Sequence, residues 1–358
     1  MKKRLSLAGL QRLFATAVAI GSGCGTQPAP TFAGAPVFRV DAHFAVIGDL
    51  QRTMIWGRLA MAEQNDPERR QLLGELARTG PAFAVMVGDL VADGSSLDHW
   101  KEFDERSEVL RRSNIPVFAV PGNHEYMFGG RANLRHYFAR LPHLANQNWY
   151  ARQFGNLALV FLDSNAGALS ERWDRQKQWY ETTLKQFEDD PAIRGVVVFL
   201  HHAPFTNSSL VKDDMDVQRA FLPAFRERQK TMAMVTGHAH GYEHFDRNGK
   251  AFIVTGGGGG PRFPLLQGEK RRHVDDKYDG PPLRPFNFVE LSIRDSGLHG
   301  YVVGLPKGCH DFCRIETFDL SWSTPGENAP AGHAHPDRDL PDCGKTGNEA
   351  SCPEVRTP

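Results

Sequence analysis

Short apolar runs alternate with amphipathic spans through most of the chain. HFAVIG (residues 43–48), FAVMVG (83–88), VFAV (117–120), LALVFL (157–162), VVVFL (196–200) and MAMVT (232–236) have the length and the β-branched or aromatic content of buried strands. Between them, residues 55–78, 97–112, 174–187 and 217–228 repeat apolar positions at helical spacing. Strand and helix in alternation predict an α/β fold, a sheet covered by helices. After residue 241 the texture changes. Asn248 and Gly249 sit between the strand-like runs YEHFDR and KAFIVT, a hairpin signal, and NFVELSI and YVVGL predict that the sheet ends in antiparallel strands. Five glycines at 256–260 lack the lysine and spacing of a phosphate-binding loop and read as a plain connection. The sequence has no internal repeat.

Both ends depart from this texture. The start carries Lys2, Lys3 and Arg4, then an apolar segment at 13–20 too short to span a bilayer, then small residues, which reads as an export signal at 1–24. Cys24, between GSG and GTQPAP, resembles the lipidation site of bacterial lipoproteins, although Gly21 occupies a position usually aliphatic; ordinary cleavage near Ala33 is the alternative. Residues 25–37, rich in Pro, Ala, Thr and Gly, read as a tether. Beyond Pro306, four cysteines (Cys309, Cys313, Cys343 and Cys352) predict two disulfides in an exported chain, with three pairings open. A zinc site using Cys309, Cys313, His310, His333 and His335 is the weaker reading. Loss of Lys2, Lys3, Arg4 and Arg12 with the signal turns a formal charge of zero into 38 basic against 42 acidic residues, which gives no footing for nucleic acid or anionic lipid.

The strand-like runs end in a consistent chemistry. Asp49, Asp89, Asn123 with His124, His201 with His202, and His238 with His240 follow five of them directly. In open α/β sheets, sites form outside the carboxyl ends of the strands, so these distant residues converge there. Each alone is unremarkable: a GD after a strand is usually a turn, and a GNH usually a loop. Together they are the donor set for two divalent ions about 3.5–4 Å apart sharing one carboxylate, for which Asp89 is the natural bridge.

GD, GNHE, HxP and GHxH, in this order and at strand ends, resemble the calcineurin-like metallophosphoesterases, and IGDLQ, GDLVAD and GHAHGYE are most similar to the purple acid phosphatase branch. The resemblance covers residues 42–304, including LDSN and QKQWYETTL. It implies a layered sandwich of mixed β-sheets flanked by helices at 38–305, with 306–358 as a disulfide-bearing extension. It implies Asp49, Asp89 and His240 on one metal and Asp89, Asn123, His202 and His238 on the other. His202 is chosen over His201 because His202, Ala203 and Pro204 reproduce HxP; His201 then becomes a buried neighbour, with the reverse choice open. A metal-bridging hydroxide would attack phosphorus in line while His124 assists the leaving group.

Two departures weaken the first metal. Gln51 stands where many relatives have a histidine, and Ala92, followed by Asp93, stands where the purple members have a tyrosine. The Gln51 amide is the available substitute, and Mn, Fe, Zn or Mg suits the oxygen-rich shell better than a tyrosinate-bound ferric ion. The expected activity is hydrolysis of phosphate monoesters, with diesters second, on a phosphorylated small molecule. A non-catalytic phosphate- or nucleotide-binding lipoprotein is the alternative. Glu243 reads as structural, His244 as an exposed strand residue or a neighbour of the ligands, and the run Lys270, Arg271, Arg272, His273 as solvated surface. Loops at 126–146, 206–216 and 261–285 would set specificity.

Overall fold

Strand–helix alternation produces two facing sheets rather than one. The computed structural model describes residues 28–36, 42–54, 57, 59, 62–322, 338–346 and 349–353; the whole signal segment 1–24 with Cys24, His333 and His335 lie outside them. Strands β1 (His43–Ile47), β2 (Ala84–Met86) and β3 (Val117–Ala119) run parallel and form one side of the first sheet, with β3 at its edge. The second is built from β4 (Tyr150–Phe154), β5 (Leu157–Phe161), β6 (Gly195–Phe199), β7 (Thr231–Thr236), β8 (Tyr242–Arg247) and β9 (Lys250–Thr255), in the order β4-β5-β6-β7-β9-β8. Its four inner strands are parallel, and β4 and β8 close its edges antiparallel. The chain then returns to the first sheet as β10 (Phe286–Arg294), β11 (Gly297–Leu305) and β12 (Cys313–Ser321), giving the order β12-β11-β10-β1-β2-β3.

The expected hairpin forms at Asn248 and Gly249, both with positive φ, joining β8 to β9. Apolar faces explain the sandwich. Phe44 of β1 meets Phe199 of β6 at 6.4 Å, Phe118 of β3 meets Phe161 of β5 at 5.8 Å, and Phe83 meets Phe154 at 4.8 Å, so one aromatic core cements the sheets. The outer face of the second sheet is covered by the helices Arg172–Asp189 and Met215–Glu227 through Tyr180, Phe221 and Phe225. Among the described residues no helix is long and apolar enough to cross a membrane.

Several boundaries differ from those read in the sequence. The first long helix starts at Asp66, where Pro67 suits a first turn, and ends at Gly80 in the left-handed conformation. The 97–112 span breaks at Ser107 into the helices Leu97–Arg106 and Glu108–Arg112. The first sheet also continues past Pro306: β12 pairs along β11 from Cys313 to Ser321, so the order of this extension rests on a ladder as well as on disulfides. Those are Cys309–Cys352 and Cys313–Cys343, which leave no thiolate for the zinc reading, and His310 is exposed. They fasten the small ribbon of β13 (Gly344–Thr346) and β14 (Glu349–Ser351) near the sheet edge. His244 is not exposed: it is buried on β8, its Nδ1 3.1 Å from Glu316 on β12 and its ring against Phe318.

Glu290 on β10 is buried, its Oε1 without a hydrogen bond among the described residues and 3.9 Å from Arg338 Nη1, and burial pushes its pKa up to about 7. The native state therefore holds a proton that the unfolded chain releases near pH 4.5, and stability falls as pH rises from there to about 7. Glu290→Gln should match wild type near pH 4.5 and exceed it above pH 7 by up to about 3 kcal/mol, read from denaturant melts at both pH values. Equal differences at the two pH values would sink this account.

Candidate metal centre

The strand ends of both sheets converge on one buried point. Asp49 follows β1 and Asp89 follows β2; Asn123 and His124 follow β3, His201 and His202 follow β6, and His238 and His240 follow β7. Asp49, Asp89, His238 and His240 all have positive φ, 61°, 55°, 67° and 47°. Non-glycine residues enter that region at a cost of roughly 1–3 kcal/mol each, and such strain collects at functional sites. The turns need small neighbours to permit it. A Cβ on Gly122 would stand 2.2 Å from Asp89 Oδ1, and Gly88, at φ 90°, would put one 2.6 Å from His201 Nδ1.

Two donor groups result. Asp49, Asp89 and His240, all buried, bring ligand atoms within 4.8 Å of one another, and His201, His202 and His238 do the same. Asp89 joins them: its Oδ2 lies 3.4 Å from His201 Nε2 and 3.2 Å from Gln51 Nε2, while His240 Nε2 lies 3.3 Å from Asp49 Oδ1. Among the described residues no lysine or arginine pairs with either carboxylate, so their counter-charge there comes from histidine or from a cation. Burial opposes ionisation of Asp89, yet His201 and His124 beside it hold its carboxyl well below the usual range. Burial likewise disfavours a charged His201, but Asp89 overrides it and pushes its pKa up to about 10.

Backbone carbonyls fix the imidazoles. Nδ1 of His201 donates to Val87 O (2.8 Å), Nδ1 of His240 to Pro261 O (2.6 Å) and Nδ1 of His124 to Ala92 O (2.7 Å). A carbonyl only accepts, so the ring proton sits on Nδ1 when each imidazole is neutral, and the Nε2 lone pair is turned inward, the arrangement that orients metal-binding histidines. His201 Nε2 is also 3.1 Å from Asn123 Oδ1. His202, the sequence-based choice, lies beside it with its ring 4.5 Å from that of His238. Its Nδ1 faces the Ser164 hydroxyl at 2.8 Å, not a carbonyl.

Other residues carry roles that the sequence pattern did not display. Buried Glu125 accepts from Asp89 N (2.9 Å), Leu90 N (2.8 Å) and Gly122 N (2.7 Å), locking the β2 and β3 turns together. Buried Asp163 of LDSN takes the Tyr126 hydroxyl and the amides of Asn148 and Asn165, at 2.8 Å each for the amides. The glycine run is a wall of the site rather than a plain connection: a Cβ on Gly256 would lie 2.7 Å from Asp49 Oδ2, and one on Gly260 2.9 Å from His240 Cε1. Phe263 stacks on His240 with ring centroids 4.0 Å apart. Glu243 is structural, its carboxylate accepting from Thr206 Oγ1 and Asn207 N at 2.5 and 2.7 Å. The basic run is only partly solvated: the Arg272 guanidinium donates to the carbonyls of Thr206, Ser208 and Val211, and His273 pairs with Asp213 at 2.9 Å.

Gln51 tests whether the residues fit a cation. Its Nε2 lies 3.0 Å from His240 Nε2 and 3.2 Å from Asp89 Oδ2, while its buried Oε1 has no partner. Rotating the amide by half a turn presents the orphaned oxygen to the lone pairs' focus, as a cation there requires. Ala92 offers only its carbonyl, to His124, and Asp93 bonds to Ser95 rather than reaching inward.

The family model for calcineurin-like phosphoesterases matches residues 42–242, more than half of the chain. The chain belongs to that family. No curated protein sequence matches it. Among solved structures, the phosphoesterase chain is similar to a purple acid phosphatase from yellow lupin seeds (TM-score 0.54, 14% identity, 80% of this chain and 54% of that one). It thus spans about half the length of the lupin enzyme. It is also similar to a dimetal phosphatase from Danio rerio (0.53, 17%, 80% and 100%) and to GAP50, described as the anchor in the inner membrane complex of Plasmodium (0.53, 15%, 79% and 90%). At these identities the likeness is one of fold. The family is dependent on two metal ions, and the two donor groups are this phosphoesterase's candidate ligands.

Gly256→Ala should weaken metal uptake about 10–100-fold while the fold survives, because the added methyl displaces Asp49. Calorimetric titration with Mn²⁺, beside a circular dichroism melt, checks it; unchanged affinity in a folded variant refutes the wall role.

Proposed function

We propose that this phosphoesterase is an exported hydrolase of phosphate monoesters, with diesters as secondary substrates. In this reading Asp49, Asp89, His240 and the Gln51 amide oxygen hold one divalent ion, and Asp89, Asn123, His201 and His238 hold the other. His201 replaces His202 as ligand because its Nδ1 is spent on Val87 O and its Nε2 faces both Asn123 and Asp89. The observation that carries the reading is the convergence of two buried carboxylates and carbonyl-locked imidazoles with no lysine or arginine among the described residues to neutralise them. Two ions of Mn, Fe, Zn or Mg would supply an acidified water and neutralise the phosphate charge. The chain's own residues do the rest. His124 Nε2 stands 3.8 Å from Asp89 Oδ2, with Nδ1 fixed by Ala92, placed to pass a proton to the departing alkoxide. Glu125 holds Asp89 and the start of the Asn123–Tyr126 helix in mutual register.

Two disulfides point to a non-cytosolic protein, which supports export; a lipid on Cys24 would make the attachment to a membrane, and the chain would be periplasmic or in the cell envelope. The alternative, a phosphate-binding protein without turnover, draws on Gln51 and Ala92 in place of stronger ligands and on a fold neighbour described as an anchor.

Metal-replete protein should hydrolyse aryl phosphate monoesters. Asp89→Asn should abolish this, and His124→Ala should lower kcat roughly 10²–10⁴-fold. Elemental analysis should find His201→Asn short of one ion and His202→Asn with both. No turnover above the Asp89→Asn background, with each of the four metals supplied, would leave only the binding reading; full activity in His124→Ala would remove the proton role.

A further inference from the structure

A cleft of about 460 Å³ opens against Asn123 and His202, on one flank of the metal centre. Tyr126 and Ser164 form part of its wall, and Asp214 and Asp216, at the start of the Met215–Glu227 helix, form another part. In the proposed assignment His201 is the metal ligand, which leaves the neighbouring His202 ring to the cleft. The Ser164 hydroxyl accepts the His202 backbone N–H at 3.0 Å and has one proton of its own, which Nδ1, 2.8 Å away, is there to accept. When that hydroxyl donates to Nδ1, the neutral ring carries its proton on Nε2 and His202 is a hydrogen-bond donor on the cleft wall. The lining contains two carboxylates and no lysine or arginine. Asp214 Oδ1 caps the helix at Val217 N (2.8 Å), and Asp216 pairs with Arg219 (2.5 Å), whose side chain is 68% exposed and outside the lining.

The geometry points to this cleft as the subsite for the alcohol portion of the ester, taking neutral or cationic alcohols and rejecting those that carry a second phosphate. The inference rests on the phosphoesterase reading, since the cleft shares Asn123 with the proposed metal site. The His202 imidazole and the Asn123 amide suit a hydroxyl, and the carboxylates suit an ammonium group. A second phosphate would meet two like charges and none of the arginine or lysine that such a group requires.

The test uses a matched three-carbon series on metal-loaded protein: n-propyl phosphate, 3-aminopropyl phosphate and propane-1,3-diyl bisphosphate. The expected kcat/KM of the bisphosphate is at least roughly tenfold below the other two, from like-charge repulsion at the wall. Asp216→Lys and Asp214→Asn, the latter keeping a helix-capping side chain, should each narrow that gap several-fold, chiefly through KM. A bisphosphate used as well as propyl phosphate, or a gap untouched by both variants, overturns the subsite. Calorimetry with propylphosphonate, 3-aminopropylphosphonate and propane-1,3-diphosphonate reads the same order without turnover. If the phosphonates follow that order while no ester is cleaved, the subsite stands and the hydrolase reading falls. Cleavage without the order has the opposite meaning.

Discussion

The buried carboxylate of Asp89 is the constraint on which the rest of the site depends. It sits at 1% exposure with no lysine or arginine among the described residues beside it, and against the cost of burial His201 and His124 keep it ionised. Its backbone N–H is held by Glu125 and its Oδ1 accepts from His124 N, so the β2 turn and the β3 turn are built around one side chain. Its Oδ2 faces Gln51, His201 and His124 from three different strand ends. Removing an uncompensated charge from water is expensive, and the only charges that can compensate here are imidazolium or metal.

That single demand accounts for much of the local backbone. Left-handed conformations at Asp49, Asp89, His238 and His240 tip the side chains off the strand ends toward a common centre, and glycines at 88, 122, 256 and 260 leave the space they occupy. The strain is tolerable because the strands behind it are rigid: β1, β2, β3, β6 and β7 are fully buried and bonded on both sides or packed through the inter-sheet aromatics. Two sheets are needed, since Asp49, Asp89 and Asn123 come from one and the histidines of β6 and β7 from the other. The phenylalanine seam that joins the sheets is therefore also what sets the distance between the two halves of the donor set.

Element type and the identity of the converging residues were legible because they are local facts: apolar runs of strand length, each ending in a metal-binding side chain. Partition into two sheets could not be read from the runs themselves, because parallel pairing leaves no mark on a continuous apolar run; the motif resemblance supplied it. The role of β12 was hidden by its neighbours, the prolines and cysteines that made residues after 306 look irregular, although Cys313–Ser321 alternates buried and exposed positions over much of its length. The glycine wall was equally opaque, since glycine has no side chain to advertise a contact that consists of absence. Buried His244 shows the limit of reasoning by motif: two residues past the ligands it turns to Glu316 of the other sheet, a partner 72 residues away.

Choosing between adjacent histidines depends on one proton. Val87 O can only accept, so it leaves His201 with a free Nε2 lone pair, whereas Ser164 can donate and frees His202 to carry its proton on Nε2. HxP spacing cannot see this difference, because Val87 and Ser164 come from β2 and β5 turns far away in sequence. The same logic separates the two ions. On the His201 side every protein ligand is already aimed inward. In the proposed assignment the His240 side gives one position to an amide, Gln51, whose oxygen would have to turn before it served, and a neutral amide binds a divalent ion less strongly than an imidazole does. On that reading the two positions would fill unequally, the Gln51 side last.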